Sequence, residues 1–360
     1  MPESTKFSQP DASLWAVVLA GGVGSRFWPV STPSRPKQLL PLGPGESLIS
    51  DTIGRIEPLV GLSRVRILAG RHLAEPIRSA VPALTDREFM IEPAARGTAP
   101  VLLWAAYEIA KIDPDAVLVS LHSDHVIRPE DVFREQLVQA ADVARRHNRL
   151  LTLGVTPTRP ESGYGYIRPG ALLDAATDTF EVAQFVEKPT RETASDFVRR
   201  GYLWNSGIFV LPARTFIEEV RAVNPEITAR LHLLEAGDVE GFFASVPTTS
   251  VDEGVLERSQ RVAVMPARFE WDDVGAWNAV GRTRHRDSAG NIAVGDVSLV
   301  DTENCIAWAE DGAIVMFGAR DLVVVRAGPI TFVAPREKTP DLKDLLKHLP
   351  ARLRDLRTNE

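Results

Sequence analysis

Cysteine is almost absent. Cys305 stands alone among 360 residues, which rules out an intrachain disulfide and any metal site built from several thiolates. No apolar run approaches 18 residues, so no membrane-spanning helix is expected. Excess positive charge is missing as well. The formal net charge is −7, which argues against a general nucleic-acid surface and leaves room only for a local basic pocket. The first dozen residues carry no signal-peptide pattern and are expected to form a loose tail. What remains is ordinary for a globular protein of the cytoplasm, with 44% hydrophobic and 25% charged residues. The length suits one large domain and a smaller one.

Short apolar runs alternate with helical patterns through the first half. Leu14–Ala20, Arg64–Ala69, Phe89–Ile91 and Ala116–Leu121 are too short for buried helices and suit buried strands. Helices are expected near Ser47–Glu57, Ala74–Ala80, Thr98–Lys111 and Glu130–His147. In the third of these, Leu102, Ala105, Ala106 and Ile109 fall on one face. This alternation predicts an α/β fold: a Rossmann-like, mixed but mostly parallel sheet with helices on both faces. Ligands of such sheets bind at the carboxyl ends of the strands. The glycine loop after Leu14–Ala20, "EPAARGTAP" at 92–100 and "HSDH" at 122–125 all fall there.

After about residue 285 the pattern becomes short apolar runs broken by Gly, Asp and Asn, which indicates an all-β region. The expected division is a tail over 1–12, a catalytic domain over 13–286, and a small β-domain over 287–360. The stretch "TPDLKDLLKHL" is expected to close that domain as one capped amphipathic helix.

"VVLAGGVGSRFWPVSTPSRPKQLLPL" at 17–42 carries the chemistry of an anion site. Glycines let backbone N–H groups approach phosphate oxygens, Arg26 adds a charged fork, and Lys37 adds a point charge. The loop is neither a Walker sequence nor a complete dinucleotide fingerprint, because Phe27 replaces the third glycine. A plain turn with solvated Arg26 and Lys37 is the competing interpretation. Downstream, Asp124 follows an apolar strand, while Asp273 is either a ligand or a helix N-cap. His122, Asp124 and His125 also allow a transition-metal hydrolase site, but the HxHxDH pattern would need a histidine at Ser120. Glu187–Lys188 can be an exposed ion pair, Asn205-Ser206-Gly207 a turn, and Glu92 a partner for Arg96.

Taken in order, these segments resemble the sugar-1-phosphate nucleotidylyltransferases, in particular their mannose-1-phosphate guanylyltransferase branch. "EPAARGTAP" is similar to that family's EPxxRNTAP. "SDHVI" at 123–127, "SGYGYI" at 162–167, "FVEKP" at 185–189, "WNSGIF" at 204–209 and "WDDVGAW" at 271–277 follow in family order. Gly97 stands where the family usually has Asn, and His122 where relatives often have Pro or a small residue. The resemblance implies nucleotidyl transfer: GTP and mannose 1-phosphate give GDP-mannose and diphosphate. Another sugar 1-phosphate such as a manno-heptose, or another nucleoside triphosphate, is the nearest alternative. A non-catalytic nucleotide-sugar sensor is a third, disfavoured by retention of the charged residues.

The roles implied by the resemblance are as follows. Ala20, Gly21, Gly22, Gly24, Ser25, Arg26, Lys37, Glu92, Thr98 and Ser123 bind the nucleotide. Gly163, Gly165, Glu187, Lys188 and Asn205 bind the sugar phosphate. Arg26, Lys37 and Lys188 are the catalytic cations, and Asp124 and Asp273 hold Mg²⁺. The β-domain is expected to be left-handed β-helix-like and to support a homodimer. Because the chain ends soon after it, no fused isomerase domain is expected.

Overall fold

The computed structural model describes residues 13–22 and 24–354, so the expected N-terminal tail lies outside the described residues. The first strand shows why the core forms. β1 (Leu14–Leu19) is apolar throughout and wholly buried. Side chains alternate across a strand, so it must be covered on both faces. Leu14, Ala16 and Val18 enter one hydrophobic cluster. Trp15, Val17 and Leu19 enter another.

The chain continues through β2 (Val65–Gly70), β3 (Phe89–Glu92), β4 (Val117–His122), β5 (Val126–Arg128), β6 (Leu150–Val155), β7 (Tyr166–Asp174), β8 (Thr179–Val186), β9 (Leu203–Pro212) and β10 (Val262–Pro266). All but β5 join one nine-stranded sheet in the order β3-β2-β1-β4-β9-β6-β10-β8-β7. The block β3-β2-β1-β4 is parallel, as is β6 with β10. Tracing the pairings, only β8 and β9 run against the other strands. Helices α1 (Leu48–Val60) and α2 (Arg71–Ala80) cover the first face, α3 (Thr98–Ile112) the second, and α4 (Glu130–His147) the first again. The expected α/β architecture is present, with each early strand and helix within a few residues of its expected place. Among the described residues no helix is long and apolar enough to cross a membrane.

β11 (Glu270–Asp272) pairs antiparallel with β5 beside the main sheet. The last strands are β12 (Ile292–Val300), β13 (Ile306–Phe317), β14 (Leu322–Ala327) and β15 (Ile330–Pro335). The first three stack in parallel, as in the coils of a β-helix, and β15 returns antiparallel. The closing segment differs from the single helix expected. A 3₁₀ stretch, Arg336–Asp341, precedes the helix Leu342–His348, and the side chain of Asp341 makes no capping bond. Pro340 lies inside the tight stretch, where it lacks the N–H an α-helix would use.

The β-region shares a core with the glycine loop. Trp277 is fully buried between Phe27, whose ring lies 5.2 Å away, and Trp308 of β13, at 5.5 Å. Phe332 packs edge-on against Trp28 at 5.8 Å. The Trp277 indole N–H also donates to the Trp28 carbonyl at 3.2 Å. One cluster therefore fixes the glycine-loop exit, the segment after Asp273 and the β-region together. Trp277→Ala should lower unfolding free energy by roughly 3–5 kcal/mol, the usual range for a buried large aromatic. Denaturant titration checks this; a loss under about 1 kcal/mol would mean that this cluster does not hold the parts together.

Candidate functional site

The site is assembled from ends. β1 releases the chain at Leu19, and the loop that follows places Gly21, Gly22, Gly24, Ser25 and Arg26 beyond the sheet edge. Buried Ala20 is still anchored, its N–H donating to the Leu68 carbonyl at 2.9 Å. Buried Ser123 holds the neighbouring strand end by donating its N–H to the Leu19 carbonyl at 3.1 Å. Gly24 has φ +64°, and a Cβ there would lie 2.2 Å from the Cβ of Lys37. Only glycine accepts both the left-handed backbone and that approach.

The approach matters because it delivers Lys37. This lysine is buried, unusually for its type. Its ammonium donates to Asp124 Oδ2 at 2.8 Å and to the Asp273 carbonyl at 2.5 Å. Burial alone would raise the Asp124 pKa; the opposing charges, led by the Lys37 ammonium, outweigh it and bring the carboxyl to about 2. Asp273 responds differently. Burial raises it, and Lys37 and Tyr164 only partly oppose that rise. The Tyr164 hydroxyl donates to Asp273 Oδ1 at 2.5 Å. Burial, with the neighbouring Asp273 charge, holds that phenol well above its usual range.

Asp273 is not a helix N-cap. The next helix, Trp277–Thr283, begins four residues later and has Ala276 at its N-cap. Its neighbour Asp272 faces elsewhere, forming an ion pair with Arg282 and accepting the Val274 N–H at 2.8 Å. Val274, a β-branched residue, sits at φ +45°. Such backbone persists only where the surroundings impose it, and here the imposed turn separates the two aspartates. Arg26 reaches the same turn, donating to the Gly275 carbonyl at 3.4 Å.

His122, Asp124 and His125 offer ligand atoms within 4.8 Å of one another. The histidines stack at 4.7 Å, and the Trp271 indole N–H donates to His125 Nδ1 at 3.0 Å. That bond occupies one imidazole nitrogen as an acceptor. Burial, helped by His122, drives His125 far toward its neutral form, and burial also lowers His122.

Three adjoining cavities share residues and so trace one path. The first, about 430 Å³, is lined by Glu92, Arg71, His72, Gly21 and Gly22. The second, about 350 Å³, continues from Gly22 past Gly24, Ser25, Arg26, Lys37, Asp124 and Asp273. The third, about 490 Å³, shares Arg26 and Asp273 and ends at Gly163, Tyr164 and Lys188. Glu92 lies at its β3 end, and burial raises its pKa. It does not pair with Arg96, whose guanidinium donates to the Phe243 and Ala244 carbonyls.

Gly97 has a direct structural reason. Its φ is +82°, and a Cβ would lie 2.3 Å from the Thr249 carbonyl oxygen. The chain at 249–251 packs against this turn: Ala99 donates its N–H to that carbonyl, and Val251 donates its N–H to Thr98 Oγ1 at 2.8 Å. Thr98 is thus partly engaged before any ligand arrives.

At the far end, Lys188 is mostly exposed, has φ +45°, and donates to Glu187 Oε1 at 2.6 Å. That hydrogen bond raises its pKa. Asn205 N–H donates to the Gly165 carbonyl at 2.8 Å, placing its side chain beside Glu187 and Gly165. Gly21, Gly22, Gly24, Ser25, Arg26, Lys37, Glu92, Asp124, Gly163, Lys188 and Asp273 line these cavities, whereas Ala20, Thr98, Ser123, Gly165, Glu187 and Asn205 are not among the lining residues. Tyr164 was not singled out by the sequence argument, although it lies inside "SGYGYI". Lys343 of the closing helix lines the second cavity and was missed too, because nothing in its local sequence points to phosphate.

Residues 15–288 match the nucleotidyl transferase family model, and 295–349 match the MannoseP isomerase/GMP-like beta-helix domain model. Mannose-1-phosphate guanylyltransferase ManC of Salmonella typhimurium is 37% identical over 94% of this chain and 73% of its own length. Mannose-1-phosphate guanylyltransferase of Escherichia coli is 37% identical over 94% and 74%. The crystal structure of mannose-1-phosphate geranyltransferase from Thermus thermophilus superposes with a TM-score of 0.85 at 33% identity, over 93% of this chain and 98% of that one.

Proposed function

The chain belongs to the nucleotidyl transferase family, and from that premise we propose the following reaction path through its cleft. The enzyme transfers guanylyl from GTP to mannose 1-phosphate, giving GDP-mannose and diphosphate. A phosphate oxygen of the sugar phosphate attacks the α-phosphorus. The bond from that phosphorus to the β-bridging oxygen breaks, and diphosphate carries the electron pair away. The attacking oxygen is already ionised at neutral pH, so no proton need move. Bringing two anions together and steadying the departing charge is the difficulty, and it is met by position and electrostatics.

The observation that carries this assignment is the row of three adjoining cavities with shared lining residues, from Glu92 past the glycine loop to Lys188. The base sits in the first cavity, where the half-buried Glu92 carboxylate suits the N1–H and N2 amino donors of guanine. The Gly21–Arg26 loop and Lys37 hold the triphosphate. Lys188 and the residues around Gly163 hold the sugar phosphate, and Arg26, lining both adjoining cavities, bridges the two anions.

Nucleotidyl transferases generally use a divalent metal. Here the donor set is oxygen-rich, as a hard cation prefers: Lys37 Nζ is held by Asp124 Oδ2 and the Asp273 backbone carbonyl, and the Asp273 carboxylate lies at the same turn. Asp124 and Asp273 would hold Mg²⁺, which supplies charge for the phosphate oxygens. With its Nδ1 accepting from Trp271, His125 carries its ring proton on Nε2, which makes a nitrogen-rich zinc site the poorer fit.

The catalytic domain is taken as 13–286 and the β-domain as 287–360, working in the cytoplasm. Val300, Val315, Phe317 and Val333 form exposed apolar positions on β12, β13 and β15, which favours pairing with a second copy. Sedimentation should give about twice the 39.5 kDa chain mass; the mass of one chain would contradict pairing.

Diphosphate release over a grid of nucleoside triphosphates and sugar 1-phosphates tests the function. GTP with mannose 1-phosphate should be preferred at least about tenfold over glucose 1-phosphate, the scale of one modest hydrogen bond. EDTA should abolish turnover. Arg26→Ala should lower kcat/KM at least about tenfold, roughly 1.4 kcal/mol. Release with no sugar preference would remove the mannose assignment, and full activity in EDTA would remove the metal.

A further inference from the structure

The segment 249–257 lies between the two ends of the cleft, and its second half forms a π-helical turn, Asp252–Leu256. Such turns are rare and are often found at functional sites. This one reaches two of the residues expected at the sugar. Glu257, at its end, accepts the backbone N–H of Glu187 at 2.9 Å. Asp252, at its start, accepts from Asn205 Nδ2 at 2.7 Å.

The Asn205 amide is thereby determined. Its Oδ1 accepts the Gly207 N–H at 3.2 Å and the Thr152 hydroxyl at 3.3 Å. Turning the amide over would set its oxygen against the Asp252 carboxylate and its N–H₂ against the Gly207 donor. One N–H of Nδ2 then remains for a ligand oxygen. Beside it, Glu187 Oε2 is buried with no hydrogen-bond partner, an acceptor whose desolvation is uncompensated within the protein. An amide N–H and an unpartnered carboxylate oxygen on residues that both flank Gly165 suit hydroxyls of a sugar ring.

We propose that Asp252 is a positioning residue for the sugar phosphate, acting by fixing the Asn205 amide so that its free N–H faces a ring hydroxyl. This rests on the assignment of Glu187 and Asn205 to the sugar end of the cleft. Burial raises the Asp252 carboxyl to about 6, the Glu187 charge adding to the rise while Asn205 and Lys188 oppose it. It is ionised at neutral pH and acts as an acceptor. Asp252→Asn keeps the volume but can present either oxygen or nitrogen to Asn205, so it no longer dictates the amide's direction.

The test is steady-state kinetics of diphosphate release with Asp252→Asn, Asn205→Ala and the double variant, varying GTP and mannose 1-phosphate separately. Asp252→Asn should raise KM for mannose 1-phosphate about tenfold and leave KM for GTP within about twofold. If Asp252 acts through Asn205, the double variant is no worse than Asn205→Ala alone. Equal rises in both KM values, or losses that multiply in the double variant, would overturn the proposal. An Asn205→Ala protein whose defect lies in GTP alone would instead overturn the sugar-end assignment on which it rests.

Discussion

The site turns on one buried ammonium. Lys37 joins Asp124, at the end of β4, to the Asp273 carbonyl, in a strained turn far along the chain. A charge taken out of water is stable only where oxygens replace its hydration. The lysine therefore demands both partners, and the partners are left uncompensated without it. Gly24 is constrained in turn, because its missing Cβ is what lets the lysine backbone lie against the loop. Around this contact the aromatic cluster of Phe27, Trp277 and Trp308 keeps the loop, the Asp273 turn and the β-region in register. The β-region is thus part of the scaffold of the site, and through Lys343 it also lines the cleft.

This arrangement explains how the enzyme handles two anionic substrates. Cationic groups line the adjoining cavities from Lys37 through Arg26 to Lys188, the order the proposed reaction path would use. The groups that could carry protons near the reacting phosphates are held out of that role. Asp124 stays ionised, Tyr164 stays protonated on Asp273, and His125 stays neutral against Trp271. Chemistry that requires no proton transfer is served by such fixed charges, whose reorganisation cost was met when the protein folded.

Much of this was legible in the sequence, for identifiable reasons. β1 is fully buried and β4 is buried as far as Leu121, so their apolar runs stand out and end abruptly where the loops begin. The family motifs then supplied roles for residues such as Lys188 and Asn205 that local pattern alone leaves ambiguous. Contacts made only by folding were not legible. Gly97 looked like a departure from the family pattern, and its cause is the Thr249 carbonyl, about 150 residues away in sequence. Asp252 lies in a π-turn with no periodic signature, and its importance comes from touching Asn205. Asp272 and Asp273 are adjacent, and only the imposed backbone of Val274 and the Arg282 ion pair separate their roles. The closing helix began later than its amphipathic pattern implied because Pro340 enforces a tighter entry.

Under the proposed metal assignment, Lys37 and a divalent cation meet at Asp124, while the lysine's second partner is the Asp273 backbone carbonyl. Thermal unfolding of Lys37→Met, with and without Mg²⁺ and in the absence of nucleotide, tests it most directly. Removing the ammonium should destabilise the protein by about 1–3 kcal/mol, less than the roughly 3–5 of a fully buried pair because Asp124 keeps a quarter of its side-chain surface in water. Added Mg²⁺ should then raise the melting temperature of Lys37→Met more than that of the wild type, because it restores a positive charge beside the unpaired Asp124 carboxylate. A variant whose melting temperature is no more responsive to Mg²⁺ than the wild type would contradict the account.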